Sequence, residues 1–209
     1  MPSRLPLVCA LLLGACAPPI LSLAPPEKAA SASDYPEIYD RWTRVGRAIS
    51  KTEFDTTLVV SATLRSPEFQ GAYCARHCQA YALQGAEAEA LHAAEKKRAE
   101  ETFTFAVQAQ GHSYGWTDLA ATRSLWRVYL ADDSGRVIMP TNIELIRPQK
   151  LAEAALFNHP MSGPFSRAFQ ITFQRLQADG QPTLSPTTRR LTLTFSGPGG
   201  RIDLHWTLR

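Results

Sequence analysis

Cys74-Ala75-Arg76-His77-Cys78 is the run in this chain where thiols and an imidazole crowd most closely. On a helix, Cys74 and Cys78 share a face and His77 stands one step round. Thiolate and imidazole together suit Zn2+ or another soft metal. Haem attachment would need the order Cys-x-x-Cys-His, which is not present. A disulfide meets a geometric obstacle: Cβ atoms four residues apart on a helix lie about 5–6 Å apart, and a disulfide wants about 3.8 Å. Three arrangements therefore stand open: two unlinked thiols, a strained disulfide, or a metal site using Cys74, His77 and Cys78.

The other titratable candidates are dispersed. His92 lies among Ala and Glu on a helical stretch and reads as solvated. His112 precedes Trp116 in a loop, and His159 sits in a turn-rich segment. His205 alternates outward between Leu204 and Trp206. A Ser-His-Asp triad can be assembled on paper from any of these, and Gly-x-Ser-x-Gly is absent. Asp132-Asp133-Ser134-Gly135 has acids suited to Ca2+, but this spacing is that of a turn. Gly197-Pro198-Gly199-Gly200 lacks a following helix, so it reads as a hairpin turn and not a phosphate loop. The run from Glu95 to Glu101 alternates sign and reads as a solvated helix face. Arg123, Arg127, Arg136 and Arg147 are candidates for a basic patch toward an anionic glycan or headgroup. No catalytic residues and no cofactor are assigned.

The 209 residues carry 22 Lys plus Arg against 19 Asp plus Glu, a net charge of +3. So weak a field argues against a nucleic-acid partner. With 44% hydrophobic residues the composition is that of a folded protein. At the start, Arg4 precedes an apolar run from Leu5 to Leu13, too short to span a bilayer. A basic start, short apolar core and small residues at the exit describe a signal peptide. Leu13-Gly14-Ala15-Cys16 resembles the lipobox of bacterial lipoproteins. That resemblance implies diacylglyceryl transfer to the Cys16 thiol, cleavage after Ala15, and a membrane as first partner through the N-terminal lipid. Ala17, where an Asp would retain such a protein at the inner membrane, implies the outer membrane. Cys9 would leave with the signal.

Residues 1–15 are thus expected as signal and 16–34 as a Pro/Ala/Ser-rich tether, whose 18 residues after the Cys reach about 55 Å when extended. Residues 35–209 are expected to form one domain. Ile38, Trp42, Val45 and Ile49 predict a short helix over 35–50. Thr57 to Arg65 is β-branched and predicts a strand. Ser66-Pro67-Glu68 is helix-start chemistry, and Ala, Glu, Lys and Gln then run to Glu101 with Gly85 as a joint. Beyond that, period-two patterns recur: Phe103/Phe105/Val107, Trp126/Val128/Leu130, Phe169/Ile171/Phe173, Leu191/Leu193/Phe195 and Ile202/Leu204/Trp206/Leu208. Lys150 to Phe157 predicts one or two helical turns.

The expected fold is mainly β: an antiparallel β-sandwich with a helical pair inserted at about 67–101. Trp116-Thr117-Asp118-Leu119, Trp126 to Leu130, Asp133-Ser134-Gly135, Pro140 and Leu204-His205-Trp206 resemble a group of uncharacterised bacterial lipoproteins with immunoglobulin-like sandwich domains. The resemblance spans roughly residues 55–209 and implies fold and compartment, with no catalytic residues to transfer. The leading expectation is a lipid-anchored, non-catalytic binding or scaffold module of the cell envelope with an envelope protein as partner. Two rivals stand beside it. One is a carrier of an apolar ligand in a cavity between sheet and helices. The other is a metal-binding or enzymatic protein centred on Cys74, His77 and Cys78.

Overall fold

The computed structural model describes residues 19–50, 54–146 and 163–209. The signal segment, Cys9, Cys16, Arg147, the turns expected at 150–157 and His159 lie outside the described residues. The elements in chain order are Ile20–Leu21 (β1), Tyr35–Trp42 (α1), Thr43–Ile49 (β2), Thr56–Leu64 (β3), Pro67–Tyr81 (α2), Ala86–Glu101 (α3) and Thr102–Gln110 (β4). They continue with Tyr114–Thr117 (α4), Arg127–Ala131 (β5), Val137–Ile138 (β6), Asn142–Leu145 (β7), Arg167–Gln174 (β8), Arg190–Gly197 (β9) and Gly200–Leu208 (β10).

The chain is mainly β, in two sheets of five strands each. One runs β1-β10-β9-β5-β6, the other β2-β3-β4-β8-β7. Every pairing among the described strands is antiparallel except β1 with β10. Period-two alternation explains the layering. Register places Leu64 opposite Phe105 and Phe105 opposite Ile171, so one face of the second sheet is a continuous apolar surface. In the first sheet Leu204 faces Leu193 and Leu193 faces Leu130 in the same manner. The two apolar faces meet in one core, where the Phe105 and Trp206 rings lie 5.3 Å apart. Trp206, fully buried, donates its indole N–H to the carbonyl of Trp42 at 2.8 Å, so its one polar atom is satisfied.

Two expectations are corrected. Residues 43–49 form a strand, not the second half of a helix: α1 stops at Trp42 and β2 pairs along β3. The spacing of Val45 and Ile49 fits both periods, and the pairing partner decides. Gly46 lets β2 pass close over β10, since a Cβ there would stand 2.5 Å from Ile202 Cγ2. The second correction concerns the tether, which does not remain free along its whole length. Ile20 and Leu21 pair with Thr207 and Leu208, and Arg209 N–H donates to the Leu21 carbonyl at 3.0 Å. Leu21 is buried, and Leu23 and Ala30 pack against the core. The physical reason lies in Ile20-Leu21-Ser22-Leu23: its leucines find apolar surface that the neighbouring Pro pairs do not seek.

Candidate functional site

The helical layer is built from strong local signals. Ser66 caps α2, its hydroxyl accepting from Phe69 N–H at 3.1 Å, and Pro67 occupies the first turn. Ala82 closes α2 in the left-handed region (φ 53°), and Gly85 (φ 54°) opens α3. Glu68 ties α1 to α2, accepting from Arg41 at 2.5 Å and from the Trp42 indole at 2.6 Å.

At the centre lies a sealed ion network. Arg65, just past β3, donates to Glu95 of α3 at 2.8 Å, with 6% and 7% of the two side chains exposed. Arg98 completes Glu95 from the other side at 2.5 Å. Arg65 also donates to Gln70 Oε1 and lies over the Tyr73 ring. This corrects the reading of 95–101 as a wholly solvated face. Lys96, Lys97, Glu100 and Glu101 are exposed, but Glu95 and Ala99 are buried. The stripe Leu91-Glu95-Ala99, spaced by four, was the signal available in the sequence.

Cys74 sits inside this layer, 1% exposed. Burial pushes its thiol up to about 12, with the Glu95 and Cys78 charges adding to the effect. Cys74 and Cys78 are both free. His77 turns elsewhere: its ring stacks on Tyr81 at 4.5 Å, and its Nδ1 is 3.3 Å from Tyr73 Oη. The three candidate ligands are thus neighbours in sequence that face different surroundings. Among the described residues no group of three His, Cys, Asp or Glu could hold a metal ion.

The remaining candidates occupy structural places. His205 is exposed on β10, its Nδ1 3.0 Å from Thr192 Oγ1. His112 packs against Trp116 with ring centroids 5.6 Å apart. Asp132 Oδ1 accepts from Ser134 N–H, Ser134 Oγ and Arg136 N–H, and Asp133 accepts from Arg189 N–H at 3.0 Å. These acids hold a turn. In the proposed basic patch, Arg136 pairs with Asp132, Arg127 lies over the Tyr129 ring, and Arg123 is exposed.

Comparison with protein families, with curated proteins and with solved structures gives no match. What the site does must be read from its own chemistry.

That chemistry includes a feature which the sequence did not announce. A cleft of about 420 Å3 opens between α2, α3 and the incoming N-terminal segment. Its apolar wall consists of Leu23, Pro25, Pro26, Pro67, Ala93 and Ala99. Its polar contributors are Gln70, His92, Lys96 and Arg175, with Glu95 and Glu100. Glu95 is already neutralised by Arg65 and Arg98. Arg175 stacks 4.2 Å over the Phe103 ring, and burial lowers its pKa. The volume falls in the range of small-molecule sites, about 300–1,000 Å3. By contrast, the interior between the sheets is filled by Phe105, Phe169, Phe173, Phe195 and Trp206, all fully buried.

Proposed function

We propose that this chain is a lipid-anchored module of the bacterial cell envelope, held at the outer membrane through Cys16 and acting by binding an envelope partner and not by catalysis. The lipobox-like Leu13-Gly14-Ala15-Cys16 supports the anchor. The observation that carries the reading is the seating of residues 20–26 on the domain. Cys16 and Ile20 are separated by at most about 14 Å of extended chain, so an anchored domain rests close to its bilayer, with the β10 edge and the cleft beside the attachment point. Among the described residues no helix is long and apolar enough to cross a membrane. The fold supports this reading too: we read it as an immunoglobulin-like sandwich in which α2 and α3 are an insertion between β3 and β4. Burial pushes the Cys74 thiol up, so this one side chain is held as a neutral thiol.

Mass spectrometry of the mature N-terminal peptide tests the anchor. The expected species begins at Cys16 with a diacylglyceryl thioether and an acylated amine, and Cys16→Ser leaves the chain outside the membrane fraction. An unmodified Cys16 thiol, or processing at another bond, overturns it.

A second reading, a carrier of an apolar ligand, is favoured by the cleft. The space for such a ligand lies between the helices and the N-terminal segment, because the core between the sheets is full.

A further inference from the structure

The strands gather one set of loops at the pole away from β1. There β2, β4 and β9 end and β3, β5, β8 and β10 begin, whereas β1 pairs with the opposite end of β10 at Thr207 and Leu208. At about 3.3 Å per residue, β10 sets this loop pole roughly 25 Å from the N-terminal strand. Close backbone approaches lock it. Thr57 Oγ1 donates to the Gly199 carbonyl at 2.8 Å, and a Cβ on Gly199 would stand 2.5 Å from Trp116 Cζ3. Loops fixed on a rigid sandwich are where such folds carry recognition.

Aromatic side chains stand out from this pole. Phe54 is 86% exposed and holds φ 53°, a left-handed conformation that a bulky residue adopts only at a cost. No burial offsets that cost, and the loop is not slack. Phe54 N–H donates to the Ser50 carbonyl at 3.0 Å, and Ser50 N–H donates to the Asp55 carbonyl at 2.8 Å. Tyr114, 51% exposed, is fixed as firmly. Its hydroxyl donates to the Pro164 carbonyl at 2.9 Å, and the Phe165 ring stands perpendicular to its own at 5.3 Å. Arg167 stacks on Tyr114 at 4.8 Å while paired with Asp118. An aromatic ring held rigid before contact gives up little entropy when a partner arrives.

The surrounding charges select the partner. Among the described residues the loops of this pole carry no Lys and no Glu. Arg123 and Arg127 are exposed there, and neither meets a carboxylate among the described residues. The acids Asp55 and Asp118 are taken up by Thr56 N–H and Arg167. Aromatics and Arg without Lys or Glu are the composition of a protein contact surface. A second copy docking by the same pole would set Arg123 and Arg127 against like charges. A sugar chain offers no pocket to enclose a protruding ring such as Phe54. We propose that this pole docks a different protein, one with an apolar pocket that takes Phe54 and carboxylates at the rim that pair with Arg123 and Arg127. The inference rests on the reading of this chain as a binding module and does not depend on lipid attachment at Cys16.

The test uses the full chain in intact cells with the photocrosslinker p-benzoylphenylalanine. It is placed as Tyr114→p-benzoylphenylalanine and, as a control at the opposite pole, as Leu176→p-benzoylphenylalanine, where the native side chain is 59% exposed. On irradiation position 114 is expected to give one discrete adduct with another protein and position 176 none. Mapping the adduct should place the new bond in an apolar stretch of the partner that also carries Asp or Glu. In the position-114 protein, Arg123→Glu with Arg127→Glu should reduce the adduct about tenfold or more at an unchanged melting temperature. Phe54→Gly removes the ring and suits a φ of 53°, so the adduct should again fall about tenfold or more while the melting temperature stays equal or rises. That pairing of outcomes separates recognition from folding. An adduct with lipid, with glycan or with a second copy of this chain overturns the proposal. So does the lack of any adduct at position 114, or one that neither variant diminishes. A protein adduct at position 176 alone would leave the binding-module reading standing and remove this pole from it.

Discussion

Arg65 Nη2 lies 2.8 Å from Glu95 Oε2, joining the end of β3 to the middle of α3 where neither side chain meets water. Charges sealed in this way cost several kcal/mol each to desolvate, and the mutual contact offsets that cost together with Arg98 on Glu95 and with Gln70 and the Tyr73 ring on Arg65. Removing one partner is therefore worse than removing both. Glu95→Leu should destabilise the chain by about 3–5 kcal/mol, because Arg65 is left with no carboxylate. Arg65→Met combined with Glu95→Leu should recover much of the loss. Urea denaturation of both single variants and the double decides it, and single losses that simply add in the double variant would show that the pair is not coupled.

The two free cysteines give a probe of the same layer. Cys74 is sealed with its thiol pushed up to about 12, whereas Cys78 is half-buried one turn on. Thiolate reagents at pH 8 should modify Cys78 readily and Cys74 only after unfolding. In Glu95→Leu, where α3 loosens, Cys74 should become reactive under native conditions. The sign of the linkage follows from the raised value. Above the ordinary thiol range the unfolded chain loses a proton that the folded chain keeps, so stability falls as pH rises beyond about 9. Peptide mapping after timed alkylation measures both rates.

The strands were legible where only one face is apolar. Leu191-Leu193-Phe195 and Ile202-Leu204-Trp206 alternate without interruption, and their register follows from a two-residue turn between Gly197 and Gly200. Ser66 and Pro67 announced a helix because capping is local chemistry. The cleft was not legible. Its walls come from residues 23–26, α2, α3 and Arg175, and only tertiary contact unites positions so far apart. Glu95 was hidden for a similar reason, since a carboxylate in a charged run reads as exposed until Arg65 is found opposite it. Cys74 and His77 mislead in the reverse direction: adjacency in sequence suggests a shared site, but Cys74 is buried in the layer while the His77 ring lies against Tyr81 and its Nδ1 meets Tyr73 Oη.

Acid stability should depend on Asp132. Its side chain is 4% exposed, and burial alone would raise its pKa, but hydrogen bonds from Ser134 and Arg136 outweigh that and hold it below the usual carboxylate range. A carboxylate with a depressed folded pKa contributes stability above its unfolded value and loses it as pH falls through the folded value. Asp203, held low against burial by Arg201 and Thr194, has the same sign. The melting temperature should therefore drop below about pH 4. Asp132→Asn should cost about 2 kcal/mol at neutral pH and flatten the acid limb. An unchanged slope in that variant would show that other carboxylates control it.

Leu21 decides whether the N-terminal segment is a strap or a loose leash. It contributes a buried side chain and accepts a hydrogen bond from Arg209 N–H, while Leu23 two residues on walls the cleft. Burying one leucine is worth about 1.5–3 kcal/mol, enough to hold two residues of strand against the β10 edge but not enough to survive a charge. Leu21→Asp should free the segment. The Arg209 amide should then exchange with solvent at least tenfold faster, since each 1.4 kcal/mol lost is about a factor of ten. Protease cleavage between residues 22 and 34 should rise in parallel. If the Arg209 amide exchanges at the same rate in both proteins, the parallel pairing of β1 contributes nothing to holding the segment, and the domain swings at the full length of its tether.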